Sequence, residues 1–169
     1  LAVLTAKFSE IKDEMPRLAE AVAALPNLRL IIKTHPAETP AAYAASIHGV
    51  VNITVAPADA DLARLLAAAD AVVTMNSTVA LDALTFGVPS LVVGLPNNLS
   101  PFVEAGVMAG AEAGGPIAPA LGRLLYDRQV RSSLAAAAEV FIDRFGMRPD
   151  GHAAARAGEV PSFASRPSR

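Results

Sequence analysis

Short runs of apolar, often β-branched residues alternate along this chain with longer alanine- and leucine-rich stretches of helical period. The runs fall at residues 1–5, 28–33, 51–55, 71–75 and 90–93, and most are near-continuously apolar, as strands covered on both faces are. Helical segments at 13–25, 40–47, 61–69 and 77–86 lie between them. Such alternation predicts βαβ units, hence an α/β protein with an open parallel sheet of about five strands and helices on both faces. The punctuation agrees. Gly87 sits where the residue after a helix belongs, and Pro89 blocks continuation before the next strand. Ser100 and Pro101 read as an N-cap and first helical residue, and the pattern beyond is helical at 101–107, 119–126 and 132–145.

Length and composition narrow the picture. With 169 residues, 53% of them hydrophobic, the chain has core enough for one domain and too little for two. A Rossmann-like unit is expected over residues 1–145, closed by C-terminal helices. Residues 146–169 mix Pro, Gly, Arg and Ser, with little apolar period beyond 153–157. They are expected to be a partly disordered tail, or one that orders on a partner domain. The mean hydropathy of +0.40 owes much to alanine, and no apolar stretch approaches the ~20 residues that cross a bilayer, so no transmembrane segment is expected.

Lys and Arg number 14, are scattered, and leave a net charge of −2, which offers nucleic acid no electrostatic footprint. The absence of cysteine excludes disulfides, thiolate metal sites and cysteine nucleophiles, and suits a cytoplasmic protein. His35, His48 and His152 are too scattered to predict a metal site. No G-x-G-x-x-G follows the first strand and no P-loop occurs, which argues against a dinucleotide oxidoreductase and a Walker ATPase. No cofactor is expected. The first residues read as a strand, with Lys7, Glu10, Lys12, Asp13 and Glu14 close behind instead of a signal-peptide pattern. That start is what a domain cut from a longer protein would have.

In an open parallel sheet ligands bind beyond the carboxyl ends of the strands. The loops predicted there are rich in polar groups: Lys7 and Ser9; Thr34, His35 and Glu38; Asp59; Asn76, Ser77 and Thr78; Asn97, Asn98 and Ser100. The strongest constellation is MNSTVALDALTFGVPS, a strand end followed by small polar residues that open an apolar helix. Asn76, Ser77 and Thr78 form a candidate anion site of backbone amides and hydroxyls. Asp82 lies one turn beyond Thr78 on the same face, at about 6 Å along the axis, an offset that suits a nucleotide's diphosphate and ribose. A plain cap at Ser77 and a solvated Asp82 account equally well for these residues. In LRLIIKTHPAE an apolar strand runs into Lys33, Thr34 and His35 before Pro36 ends it, so His35 is expected in the crevice as a donor to phosphate. Lys7, Asn97 and Asn98 are weaker candidates, for which solvated surface and an ordinary turn are the plainer accounts. Asp61 reads as a helix N-cap.

Together, KTHPAE and ADADLARLLAAADAVVTMNSTVALDALTFGVPSLVVG resemble the C-terminal half of GT-B glycosyltransferases, in particular bacterial capsule and surface-polysaccharide transferases. Non-hydrolysing UDP-N-acetylglucosamine 2-epimerases are structural cousins. The resemblance spans residues 1–111, and the late DGHAAAR is similar to a closing helix of such proteins. It implies that His35 lies by the donor phosphates, that Ser77 and Thr78 bind the diphosphate, and that Asp82 stands where the family has a ribose-binding glutamate. The shorter Asp is a departure. Epimerases place two glycines after the serine of the phosphate loop, where this chain has Thr78 and Val79, which favours a transferase. The partners implied are a nucleotide-sugar donor and an N-terminal acceptor-binding domain that these residues do not contain. The isolated half is expected to be inactive, and any peripheral association with the inner membrane would come through the full-length protein. Half of an epimerase and a non-catalytic α/β binding module are the alternatives.

Overall fold

The computed structural model describes residues 1–152 apart from Pro26, Ala58 and Pro149, together with Ala155. Most of the expected tail therefore lies outside the described residues. Six parallel strands form one sheet: β1 (Ala2–Thr5), β2 (Leu30–Ile32), β3 (Ile53–Val55), β4 (Ala71–Thr74), β5 (Ser90–Leu95) and β6 (Ala109–Glu112). Their order is β3-β2-β1-β4-β5-β6. The chain thus winds outward in one direction through β3 and in the other from β4, and the reversal falls between β1 and β4.

Alternation along the strands builds two layers. Ala71 and Val73 of β4 and Leu91 and Val93 of β5 enter the main core, while Val72 and Val92 enter smaller clusters behind the sheet. Against the first face pack α2 (Met15–Ala23) and α7 (Ile117–Tyr126), which touch one another. Met15, Leu18, Ala19 and Val22 in one, and Ile117, Leu121 and Leu124 in the other, recur at helical spacing and are buried. The other face takes α4 (Leu62–Ala68) through Leu66 and α5 (Val79–Thr85) through Ala80, Ala83 and Leu84. The long α8 (Arg128–Phe145) bridges the two layers, with Leu134 in the main core and Ile142 in a cluster behind the sheet.

The expected α/β architecture holds, with six strands instead of about five. The added β6 reads AGAE, which lacks the β-branched and aromatic residues that mark a strand, and it lies at the sheet edge. Gly110 belongs there for a packing reason: a Cβ would stand 2.7 Å from Val103 Cγ1 and 2.5 Å from Leu95 Cδ1. Three further short helices are α1 (Phe8–Ile11), α3 (Ala41–Ala44) and α6 (Ser100–Glu104). Ser100 is not the N-cap of α6, which is Leu99; its Oγ instead accepts from the Asn97 amide at 2.8 Å. Helix α8 starts earlier than its apolar period predicts, because Asp127 caps it by accepting from the amides of Gln129 and Val130. Asp61 caps α4 in the same way, as expected.

Candidate functional site

A cleft of about 490 Å³ opens at the carboxyl ends of β1, β2 and β4, beside the reversal in strand order. Thr5, Ala6, Lys7 and Glu10 line it from the β1 side, Lys33, Thr34, His35 and Pro36 from β2, and Asn76, Ser77, Thr78 and Val79 from β4. Ala60 and Leu62, at the start of α4, complete the wall. Sequence separations as long as that from Thr5 to Val79 are thereby closed by strand pairing alone, since Leu4 sits beside Ile32 and Thr5 beside Thr74.

Each wall is held by its own hydrogen bonds. The Thr74 hydroxyl donates to the Thr5 carbonyl at 2.7 Å and accepts from the Ser77 amide at 3.2 Å, so one side chain joins β1 to the turn that carries the small polar residues. Ser77 Oγ in turn accepts from the Val79 amide at 3.3 Å. The N-cap of α5 is Thr78, whose side chain makes no capping bond. His35 is exposed, and its Nδ1 accepts from the Ala37 amide at 3.2 Å. With Nδ1 accepting that bond, Nε2 is the ring nitrogen left to donate to a ligand.

A brace not foreseen in the sequence joins the β1 and β2 loops. Glu38, expected only as a polar loop residue, accepts from the Phe8 amide at the start of α1 through Oε1 (2.8 Å). Its Oε2 lies 3.2 Å from the hydroxyl of the fully buried Tyr43, which also donates to the Ala6 carbonyl at 2.8 Å. The Phe8 and Tyr43 rings meet edge to face at 5.0 Å. Burial, and then the Glu38 carboxylate, push the Tyr43 phenol far above its ordinary value. Lys7 and His35 are thus carried on loops tied to each other. The contacts with Phe8 and Ala6 span 30 and 37 residues, so the only local signal was the presence of a Glu and a Tyr near KTHP.

Other candidates stand outside the cleft. Asp82 is exposed on α5 and does not line it. Asn97 is spent on its own turn, where Nδ2 donates to the Val93 and Gly94 carbonyls and Oδ1 accepts from the Leu99 amide, and Asn98 is exposed. Among the described residues no three acidic or histidine side chains come together to hold a metal ion, and no helix is long and apolar enough to cross a membrane.

A family model of capsule polysaccharide biosynthesis proteins matches residues 6–98, more than half of the 169, and this span contains every wall of the cleft except Thr5. The chain belongs to that family. No curated protein matches it. Among solved structures it is similar to the glycosyltransferase SnogD from Streptomyces nogalater, with 23% identity and a TM-score of 0.67 over 93% of this chain and 42% of that one. WaaG, a glycosyltransferase involved in lipopolysaccharide biosynthesis, matches with 17% identity and a TM-score of 0.66, over 96% of this chain and 47% of that one. The UDP-GlcNAc 2-epimerase of Neisseria meningitidis, whose structure holds UDP-GlcNAc, gives 16% identity and a TM-score of 0.61, covering 87% and 44%. These likenesses establish the fold, which is one half of a GT-B structure. The capsule-family chain spans less than half the length of each.

Proposed function

We propose that this chain is the donor-binding half of a glycosyltransferase for surface polysaccharide, and that its cleft receives the phosphates of a nucleotide sugar. The observation that carries the reading is the convergence of Lys7, His35, Ser77 and Thr78, donors from three separate strand ends, on one cleft beside the strand-order reversal. Lys7 supplies a positive charge, His35 an Nε2 proton, and Ser77 and Thr78 hydroxyls, all suited to the charge that a leaving phosphate gains during sugar transfer. Asp82 shares a helix face with Thr78, so a ligand lying along α5 would bring its ribose there. The acceptor and the second wall come from another domain. Val79 after Thr78, in place of a glycine pair, supports a transferase over an epimerase. Calorimetric titration of the 169-residue chain with UDP, GDP and CMP tests the reading, alongside an assay of sugar transfer. At least one nucleotide should bind, and the chain alone should transfer no sugar. Failure of all three to bind, or transfer by the chain alone, would sink the proposal.

A further inference from the structure

Three buried side-chain oxygens have no hydrogen-bond partner among the described residues: the hydroxyls of Thr5, Thr34 and Ser90. An unpaired buried hydroxyl carries a desolvation cost that a folded chain rarely keeps without reason. Two of the three, Thr5 at 4% exposed and Thr34 at 2%, line the cleft described above, at the ends of adjacent strands. Ser90 does not line it; it opens β5, at the amino ends of the strands.

From this asymmetry we infer that Thr5 and Thr34 are ligand-binding residues, whose hydroxyls form part of the cleft floor and donate to the bound nucleotide. The inference rests on the donor-binding reading and adds two residues to it. Both side chains line the cleft with their hydroxyls buried and unpaired, and rotation about χ1 is the motion that would turn either hydroxyl toward a bound ligand. Their surroundings fix the ligand's sign. Among the described residues the cleft lining carries two cations, Lys7 and Lys33, against the carboxylate of Glu10, with the His35 imidazole as a further donor, so the oxygens they meet belong to an anion such as a nucleoside phosphate. A β-branched side chain at each strand end also explains why valine would fit the fold as well, and why the hydroxyl needs another reason to be there.

Replacement by valine separates the two roles, because it removes the hydroxyl and keeps the shape. In the 169-residue chain, Thr5→Val and Thr34→Val should each raise Tm by relieving an unpaired group, and each should weaken binding of whichever of UDP, GDP and CMP the parent binds by about tenfold. Thr5→Ser and Thr34→Ser should hold the affinity. Ser90→Ala should raise Tm and leave affinity unchanged. If the valine variants are stabilised and bind as tightly as the parent, the inference falls while the donor-binding reading stands. Should the serine variants lose as much affinity as the valine ones, the effect is one of packing and the inference again fails. If the parent binds none of the three nucleotides, both fall together.

Discussion

The sheet carries a hollow at each end of its strands. At the carboxyl ends the cleft of about 490 Å³ gathers hydroxyls, two lysines and an imidazole from three strand ends. At the amino ends a groove of about 550 Å³ runs between α5, the entry to β5 and α8, walled by Leu84, Val88, Val107 and Leu134, with Arg128, Arg131 and Glu139 around it. Volume alone would choose the amino end. Chemistry chooses the other, because a ligand's orientation is set by converging polar groups and an apolar wall supplies none. The two ends also differ in how they are held. Loops at the carboxyl end are tied to one another by Glu38, Tyr43 and Thr74, whereas at the groove Arg131 of α8 donates to the Leu124 and Asp70 carbonyls.

The chain's two tyrosines give the largest test of that contrast. Tyr43 is fully buried in the brace and Tyr126, beside the groove, is 61% exposed. Tyr43→Ala should destabilise the fold by about 3 to 5 kcal/mol, as loss of a buried aromatic does. Tyr126→Ala should stay within about 0.5 kcal/mol. Denaturant unfolding of both variants decides it, and equal costs would mean that the brace contributes nothing special. The gentler Tyr43→Phe carries a pH signature. Because burial and Glu38 raise the folded-state phenol, the unfolded chain ionises first, at the ordinary value of about 10. Stability from this group is therefore complete below pH 10 and declines as pH rises above it. Tyr43→Phe should remove that decline.

The brace also marks where reading the sequence stopped. Strands β1 to β5 and the main helices were legible because their information is local: apolar runs, helical period, and caps such as Asp61. Their order along the chain was enough to predict an open parallel sheet, which then brought Lys7, His35, Asn76, Ser77 and Thr78 to the lining of one cleft. Strand β6 was missed because its AGAE gets its extended form from pairing with β5 and from Val103 and Leu95 filling the space above Gly110. Glu38 and Asn97 have the same chemistry as binding residues, and only the fold reveals that their hydrogen bonds go to the Phe8 amide and to a local turn. The unpaired hydroxyls of Thr5 and Thr34 are the converse, since a residue's lack of partners depends on everything packed around it.

A middle-sized effect separates the two hollows by ligand affinity. His35→Ala should weaken nucleotide binding by about 1.5 to 3 kcal/mol, the worth of a hydrogen bond to a charged group. His35→Gln should recover part of it, because its amide still donates. At the other end, Ala135→Leu, placed on the exposed side of α8 that faces the groove, should leave affinity unchanged. Calorimetry on the three variants reads this directly. If Ala135→Leu weakens binding and His35→Ala does not, the nucleotide belongs in the amino-end groove.

The smallest effect concerns Asp82, and it measures how far the ligand extends beyond the cleft. Asp82 and Thr78 are four residues apart and so share a face, Thr78 lines the cleft, and Asp82 is exposed beyond it. A ribose reaching it would bond a solvated carboxylate, and water competes for such a contact far better than for one in the cleft floor. Asp82→Asn should therefore cost about 0.5 to 1 kcal/mol of nucleotide affinity, less than His35→Ala, with unfolding unchanged, because the asparagine keeps the shape and one acceptor oxygen. The control is the 2′,3′-dideoxynucleotide, which lacks the hydroxyls a carboxylate would accept from. Asp82→Asn should leave its affinity alone, since the contact is already missing. An equal loss for both ligands would reduce Asp82 to a long-range charge effect, and no loss for either would confine the ligand to the cleft between Lys7, His35 and Thr78.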